Sequence, residues 1–178
     1  MGVMLVMMLE DGFKINMVSV KLVKDIALLS EKPIHNPDDL IDVMGEYMSQ
    51  FDKEVIFVLN LNDNNQIING SMVSMGTLNY AVFHPRELFK STVLSNASRI
   101  MMLHNHPSGN VLPSKDDICV TDNLCKACEI MGIELLDHII VGGRDGSYFS
   151  FRDKCLIKDK TVYYATELQD INIRKRGM

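Results

Sequence analysis

The chain has 178 residues, 47% of them hydrophobic, which suits one globular domain with a real core and excludes a disordered segment. Its 18 basic and 23 acidic side chains leave a formal charge of −5. That is a poor footprint for wrapping nucleic acid, which asks for a basic face, and the one basic cluster, "IRKRGM", reads as a solvated tail.

In chain order, "MGVMLVMML" is apolar but has no cationic leader and is too short to cross a bilayer. Val6 stands where a myristoylation signal wants Ser or Thr. Residues 1–30 hold short apolar stretches of open type, and "EKPIHNPDDL" is a turn-rich joint exposing His35. Asn36 followed by Pro37 predicts a helix start, and "DDLIDVMGEYMSQF" continues it with Leu40, Val43, Met44 and Met48 inward. "EVIFVLNL" is a buried strand, "NDNNQ" a turn and "IINGSMVSMG" a returning strand, so the pair reads as a hairpin. "HPRELFKSTVLSNAS" predicts a helix with Pro85 in its first turn and Leu88, Phe89 and Leu94 as its buried stripe. "RIMMLHN" is another buried strand. "SKDDICVTDNLCKACEIMG" is a helix carrying Val120, Leu124, Cys128 and Met131 inward, closed by Gly132. "IELLDHIIVGG" and "SYFSFRD" are the last strands, with "GRDGS" as their turn. Strands alternating with helices indicate a three-layer α/β domain.

The chemistry concentrates in "LHNHPSGNVLPSKDD". Side chains two apart on a strand point the same way, so His104 and His106 share a face at the end of a buried strand, where open α/β sheets place their ligands. Two imidazoles there can grip a divalent metal such as Zn²⁺ if a carboxylate joins them, and Asp117 or Asp116 is within a loop's reach. "SKDD" also fits a helix cap, with Ser114 as N-cap and Asp117 three residues on. The combination of paired histidines, a tight turn and a helix N-terminus with an oxygen ligand favours the metal reading.

His104, His106, Pro107 and Gly109, followed by Ser114 and Asp117, resemble the JAMM (MPN-plus) metallopeptidase motif with its spacing intact. "VSMGTLN", "HPRELFK", "LSNASRIMMLHNHPSG" and "GIELLDHIIVG" resemble the RadC-like JAB-domain proteins over roughly residues 50–153. The resemblance implies an α/β/α mixed sheet of the JAMM/MPN kind, similar to cytidine deaminases. It implies a domain over residues 48–153, preceded by an extension and lead-in helix (1–47) and followed by a tail (154–178). No helix-hairpin-helix region of the longer relatives shows in residues 1–47, so a short form is expected. It also implies Zn²⁺ on His104, His106 and Asp117, Glu54 as general base before the strand, and Ser114 donating to the oxyanion. The implied activity is hydrolysis of a peptide or isopeptide bond in an unidentified peptide or protein substrate. The second implied class is a DNA-repair-associated accessory or binding module.

Other chemistry fits less well. The "HNH" tripeptide is not the dispersed motif of the nucleases of that name. Cys125 and Cys128 give the C-x-x-C of a zinc deaminase, but no proline precedes them and there is no H-x-E, so packing is expected. His84 is expected to bond a helix terminus and His138 to be a satisfied core histidine or to support a metal ligand. Four sparse cysteines do not make a disulfide framework, and a reducing cytoplasm is the expected setting.

Overall fold

Asn36 begins the first helix among the described residues for the reason its sequence suggests. In the computed structural model its side chain accepts a hydrogen bond from Asp39 N at 2.9 Å, and Pro37 occupies the first helical position, where its missing N–H costs nothing. The structure describes residues 36–76, 84–142 and 146–157, with residues 19 and 21–23. The expectations for the apolar N-terminal stretches, for His35, for most of the 143–147 turn and for the tail from 158 lie outside the described residues.

Among the described residues eight elements follow in chain order: α1 (Pro37–Met48), β1 (Val55–Leu61), β2 (Ile67–Met75), α2 (Pro85–Leu94), β3 (Arg99–Asn105), α3 (Lys115–Met131), β4 (Glu134–Val141) and β5 (Tyr148–Ser150). The β1–β2 hairpin is closed by Asn62, whose side chain accepts from the amides of Asn64 and Gln66, and by Asn65 at φ 60°. The strands form one mixed sheet in the order β2-β1-β3-β4-β5. β1 runs antiparallel to β2 and β3, β3 and β4 are parallel, and β5 returns antiparallel. All seven residues of β1 are buried, as expected of a strand covered on both faces.

Alternation along the strands sorts them into two cores. Val55, Phe57, Leu59, Leu103 and Ile139 meet α1 on one face. Ile56, Val58, Ile100, Met102 and Ile140 meet α2 and α3 on the other. The result is the expected α/β/α layering.

Three inward assignments are corrected. Val43 is half-buried, whereas Ile41 and Gly45 are buried with Leu40, Met44 and Met48. The apolar stripe of α1 is therefore rotated by part of a turn. Leu94 is 39% and Met131 46% exposed, each as the last residue of its helix. On α2 the inward places belong instead to Ser91 and Thr92, whose hydroxyls donate to the Leu88 carbonyl.

The parallel pairing of β3 and β4 brings their C-terminal ends to one side of the sheet, beside the start of β1 and the N-terminus of α3. That corner holds the candidate site.

Candidate metal centre

His104 is the penultimate residue of β3, and His106 continues the strand by one bond, donating its backbone N–H to the Val141 carbonyl at 2.9 Å. The period of two sends both imidazoles to the α2/α3 face and the intervening Asn105 to the other. There Asn105, 2% exposed, accepts from Val55 N at 2.7 Å and donates to Lys53 O at 3.1 Å. These two bonds bracket Glu54. The register that pairs Ile56 with His104, carried two residues on, sets Glu54 opposite His106.

After His106 the chain turns back through Gly109, whose φ of 80° is a left-handed conformation that glycine adopts without strain. The turn puts the Asn110 carbonyl 2.6 Å from His106 Nδ1. A carbonyl only accepts, so Nδ1 carries a proton and Nε2 is the nitrogen turned toward His104 and Asp117.

α3 then starts with a complete capping box. Ser114 Oγ accepts from Asp117 N at 3.1 Å, and Asp117 Oδ2 accepts from Ser114 N at 2.7 Å. The cap does not exhaust the carboxylate. Asp117 Oδ1 lies 3.2 Å from His104 Nε2, and Oδ2 lies 3.5 Å from His106 Nε2. The two Nε2 atoms are 2.9 Å apart. Nitrogen or oxygen ligands bound at zinc distances to a tetrahedral ion stand roughly 3.3 Å from one another. The observed separations bracket that value.

Among the described residues, His104, His106 and Asp117 are the group whose ligand atoms converge, all within 4.8 Å, as a metal ion requires. Their electrostatics favour a positive guest. Burial alone raises the pKa of Asp117, but bonds from His104 and His106, the charge at His104 and the Ser114 contact outweigh it and hold the carboxyl well below the usual carboxylate range. Its hydrogen bond in turn raises His106 above the ordinary histidine value, against its partial burial. The donor set therefore fits a divalent cation.

The cavity around this corner has a volume of about 480 Å³, and its wall includes Glu54, Ser114, Asp116 and His138. Glu54 thus shares the pocket with the three convergent groups. Ser114 also lines it, but its hydroxyl proton goes to Asp117 Oδ2 at 2.6 Å. His138 is fully buried, stacks on Phe151 at 4.6 Å, and places Nε2 2.8 Å from His104 Nδ1 and Nδ1 2.7 Å from Thr121 Oγ1. Burial, with the neighbouring His104 charge, holds its pKa well below the ordinary histidine value.

The remaining candidates lie elsewhere. His84 caps α2, accepting from Arg86 N at 3.2 Å. Cys128 packs in the core, where burial, reinforced by Cys125, pushes its thiol up to about 12. That is packing rather than metal or redox chemistry. Thr121, Asn105 and the Asn110 carbonyl were not singled out in the sequence. The available signal for Thr121 was its place one helical turn beyond Asp117.

The family model for the RadC-like JAB domain matches residues 34–156, a span that contains all eight elements. A UPF0758 protein of Methanosarcina mazei is 41% identical over 128 residues, covering 72% of this chain and 55% of its own length. One from Clostridioides difficile is 45% identical over 124 residues, covering 70% of this chain and 52% of its own, and one from Pelodictyon phaeoclathratiforme is 47% identical over 126 residues, covering 71% and 56%. The chain spans about half the length of the curated relatives it matches. Among the described residues no helix is long and apolar enough to cross a membrane. The family match covers more than half of the chain and these relatives are at least 41% identical, and the chain belongs to the RadC-like JAB domain family.

Proposed function

We propose that this chain is a zinc-dependent hydrolase of peptide or isopeptide bonds, with His104, His106 and Asp117 as metal ligands, Glu54 as general base and Ser114 as a hydrogen-bond donor. The observation that carries the reading is the convergence of two imidazoles and a carboxylate in a pocket that has Glu54 on its wall. Zinc on such a ligand set supplies Lewis acidity toward a carbonyl oxygen and a lowered pKa for water. The protein's own groups do the rest. The Asn105 bonds on either side of Glu54 hold its backbone at the mouth of β1. From there its carboxylate accepts a proton from the attacking water and returns it to the leaving amine. Ser114 can donate to the oxyanion once it turns its proton away from Asp117 Oδ2, and a donor so placed is worth about 3 kcal/mol.

The test is turnover of fluorogenic peptides and isopeptide-linked substrates by the zinc-loaded full chain. Glu54→Gln is expected to keep the metal and lose roughly 10²–10⁴-fold in rate, as removal of a general base does. His104→Ala is expected to lose both metal and turnover. Wild-type turnover in Glu54→Gln contradicts the base assignment.

A further inference from the structure

The contacts behind His104 determine where its protons sit. Thr121 Oγ1 lies 2.6 Å from the carbonyl oxygen of Asp117 and 2.7 Å from His138 Nδ1. A carbonyl has no proton to give, and two bare acceptors so close repel, so the Thr121 hydroxyl donates to Asp117. Its single proton is then committed, and it accepts from His138, whose Nδ1 carries hydrogen. His138 is 0% exposed, and its ring bonds a hydroxyl and an imidazole, so it is held as the neutral imidazole. Its Nε2 is therefore a lone pair, which accepts from His104 Nδ1–H at 2.8 Å. With Nδ1 holding its proton, Nε2 is the nitrogen that His104 offers toward His106 and Asp117.

We propose that Thr121 and His138 are positioning residues: a hydrogen-bonded relay, oriented by the Asp117 carbonyl, that locks His104 in the Nδ1–H form and aims Nε2 at the cation. The proposal rests on the metal-centre reading given above for its purpose, though not for its geometry. The first turns of α3 then do two jobs, because the residue that supplies a carboxylate ligand also sets, through its backbone oxygen, the orientation of a histidine on β3. His106 reaches the same state by a separate route, the Asn110 carbonyl. Both imidazoles consequently carry hydrogen on Nδ1 and turn Nε2 toward Asp117. Contacts of this kind, when removed, typically cost about 10- to 100-fold in metal affinity.

Two measurements on the full chain test the relay. Long-range ¹H–¹⁵N NMR of the metal-free, ¹⁵N-histidine-labelled protein is expected to find hydrogen on Nδ1 of both His138 and His104. A bare Nδ1 on either ring overturns the proposal. Competition with a chromophoric chelator is expected to show zinc affinity falling about 10- to 100-fold in Thr121→Val, which keeps the shape but removes the hydroxyl, and returning close to wild type in Thr121→Ser. Unchanged zinc affinity and unchanged His104 tautomer in a folded Thr121→Val also overturn it. If Thr121→Val does not fold, the wild-type tautomers decide. A wild-type chain that takes up no zinc refutes the metal centre, whereas the NMR result still decides the relay.

Discussion

Asp117 divides its carboxylate between two tasks that looked like rivals in the sequence. Oδ2 closes the capping box with Ser114, and Oδ1 faces His104 at 3.2 Å. A carboxylate has room for both, since each oxygen accepts more than one bond. Asn105 has a comparable part on the opposite face of the sheet. Replacing it by Ala leaves the Val55 amide and the Lys53 carbonyl without their side-chain partner at a buried position. Asn105→Ala is expected to lose about 1–3 kcal/mol in denaturant unfolding. It should also lower turnover more than it lowers zinc affinity, because the bonds it breaks flank Glu54 and not the ligands. At this scale the three convergent groups were legible in the sequence, and of the residues behind them only His138 was. His104, His106 and Asp117 announce themselves by local spacing: two along a strand, then a cap. Glu54 comes opposite His106 only when the β1–β3 register is carried two residues past Ile56 and His104, a relation between strands far apart in the sequence. By itself it is an ordinary charged residue before a strand. Thr121 lies one helical turn beyond Asp117 and His138 was read as a core or supporting histidine, but their contact joins two elements across 17 positions and has no local signature.

The elements that sequence pattern places well are those with strong end signals. α1 has Asn36 and Pro37, α2 has His84 and Pro85, and α3 has Ser114 at one end and Gly132 at the other. The errors are rotational and terminal. In α1 the positions 40, 43, 44, 48 and 40, 41, 44, 48 both satisfy a helical period, and only the sheet decides between Val43 and Ile41. In α2 hydrophobicity points to Leu94, but the buried face holds Ser91, which accepts from the buried Asn60 side chain at 3.3 Å. Gly132 offers a clean measure of how much a terminus contributes. Its φ is +66°, and a Cβ there meets nothing within 4 Å, so a side chain is disfavoured by backbone conformation alone. Gly132→Ala is expected to cost about 1 kcal/mol in thermal or denaturant unfolding. Zinc affinity should not change, since α3 holds the site at its other end. A loss of zinc in this variant would contradict the view that the C-terminal end of α3 takes no part in holding the site.

For the whole molecule, one arrangement explains where the chemistry sits. Strand β3 lies between an antiparallel and a parallel neighbour, so the start of β1 and the ends of β3 and β4 share a corner of the sheet. The N-terminus of α3 closes that corner from the second layer. The three-layer class follows from alternating patterns in the sequence, whereas this strand order needs coordinates. Charge belongs to the same scale. With a net charge of −5, the chain is expected to show no salt-dependent DNA binding even at low ionic strength, as measured by fluorescence anisotropy with a labelled duplex. Binding that weakens steeply with added salt would instead support the accessory role in DNA transactions.

The central claim is that His104, His106 and Asp117 bind a divalent cation. Its most direct test is elemental analysis of the full chain purified without a chelating tag, beside Asp117→Ala prepared in the same way. The account predicts close to one zinc per wild-type chain and almost none in the variant. A wild-type chain free of metal, or equal zinc in both proteins, would contradict it.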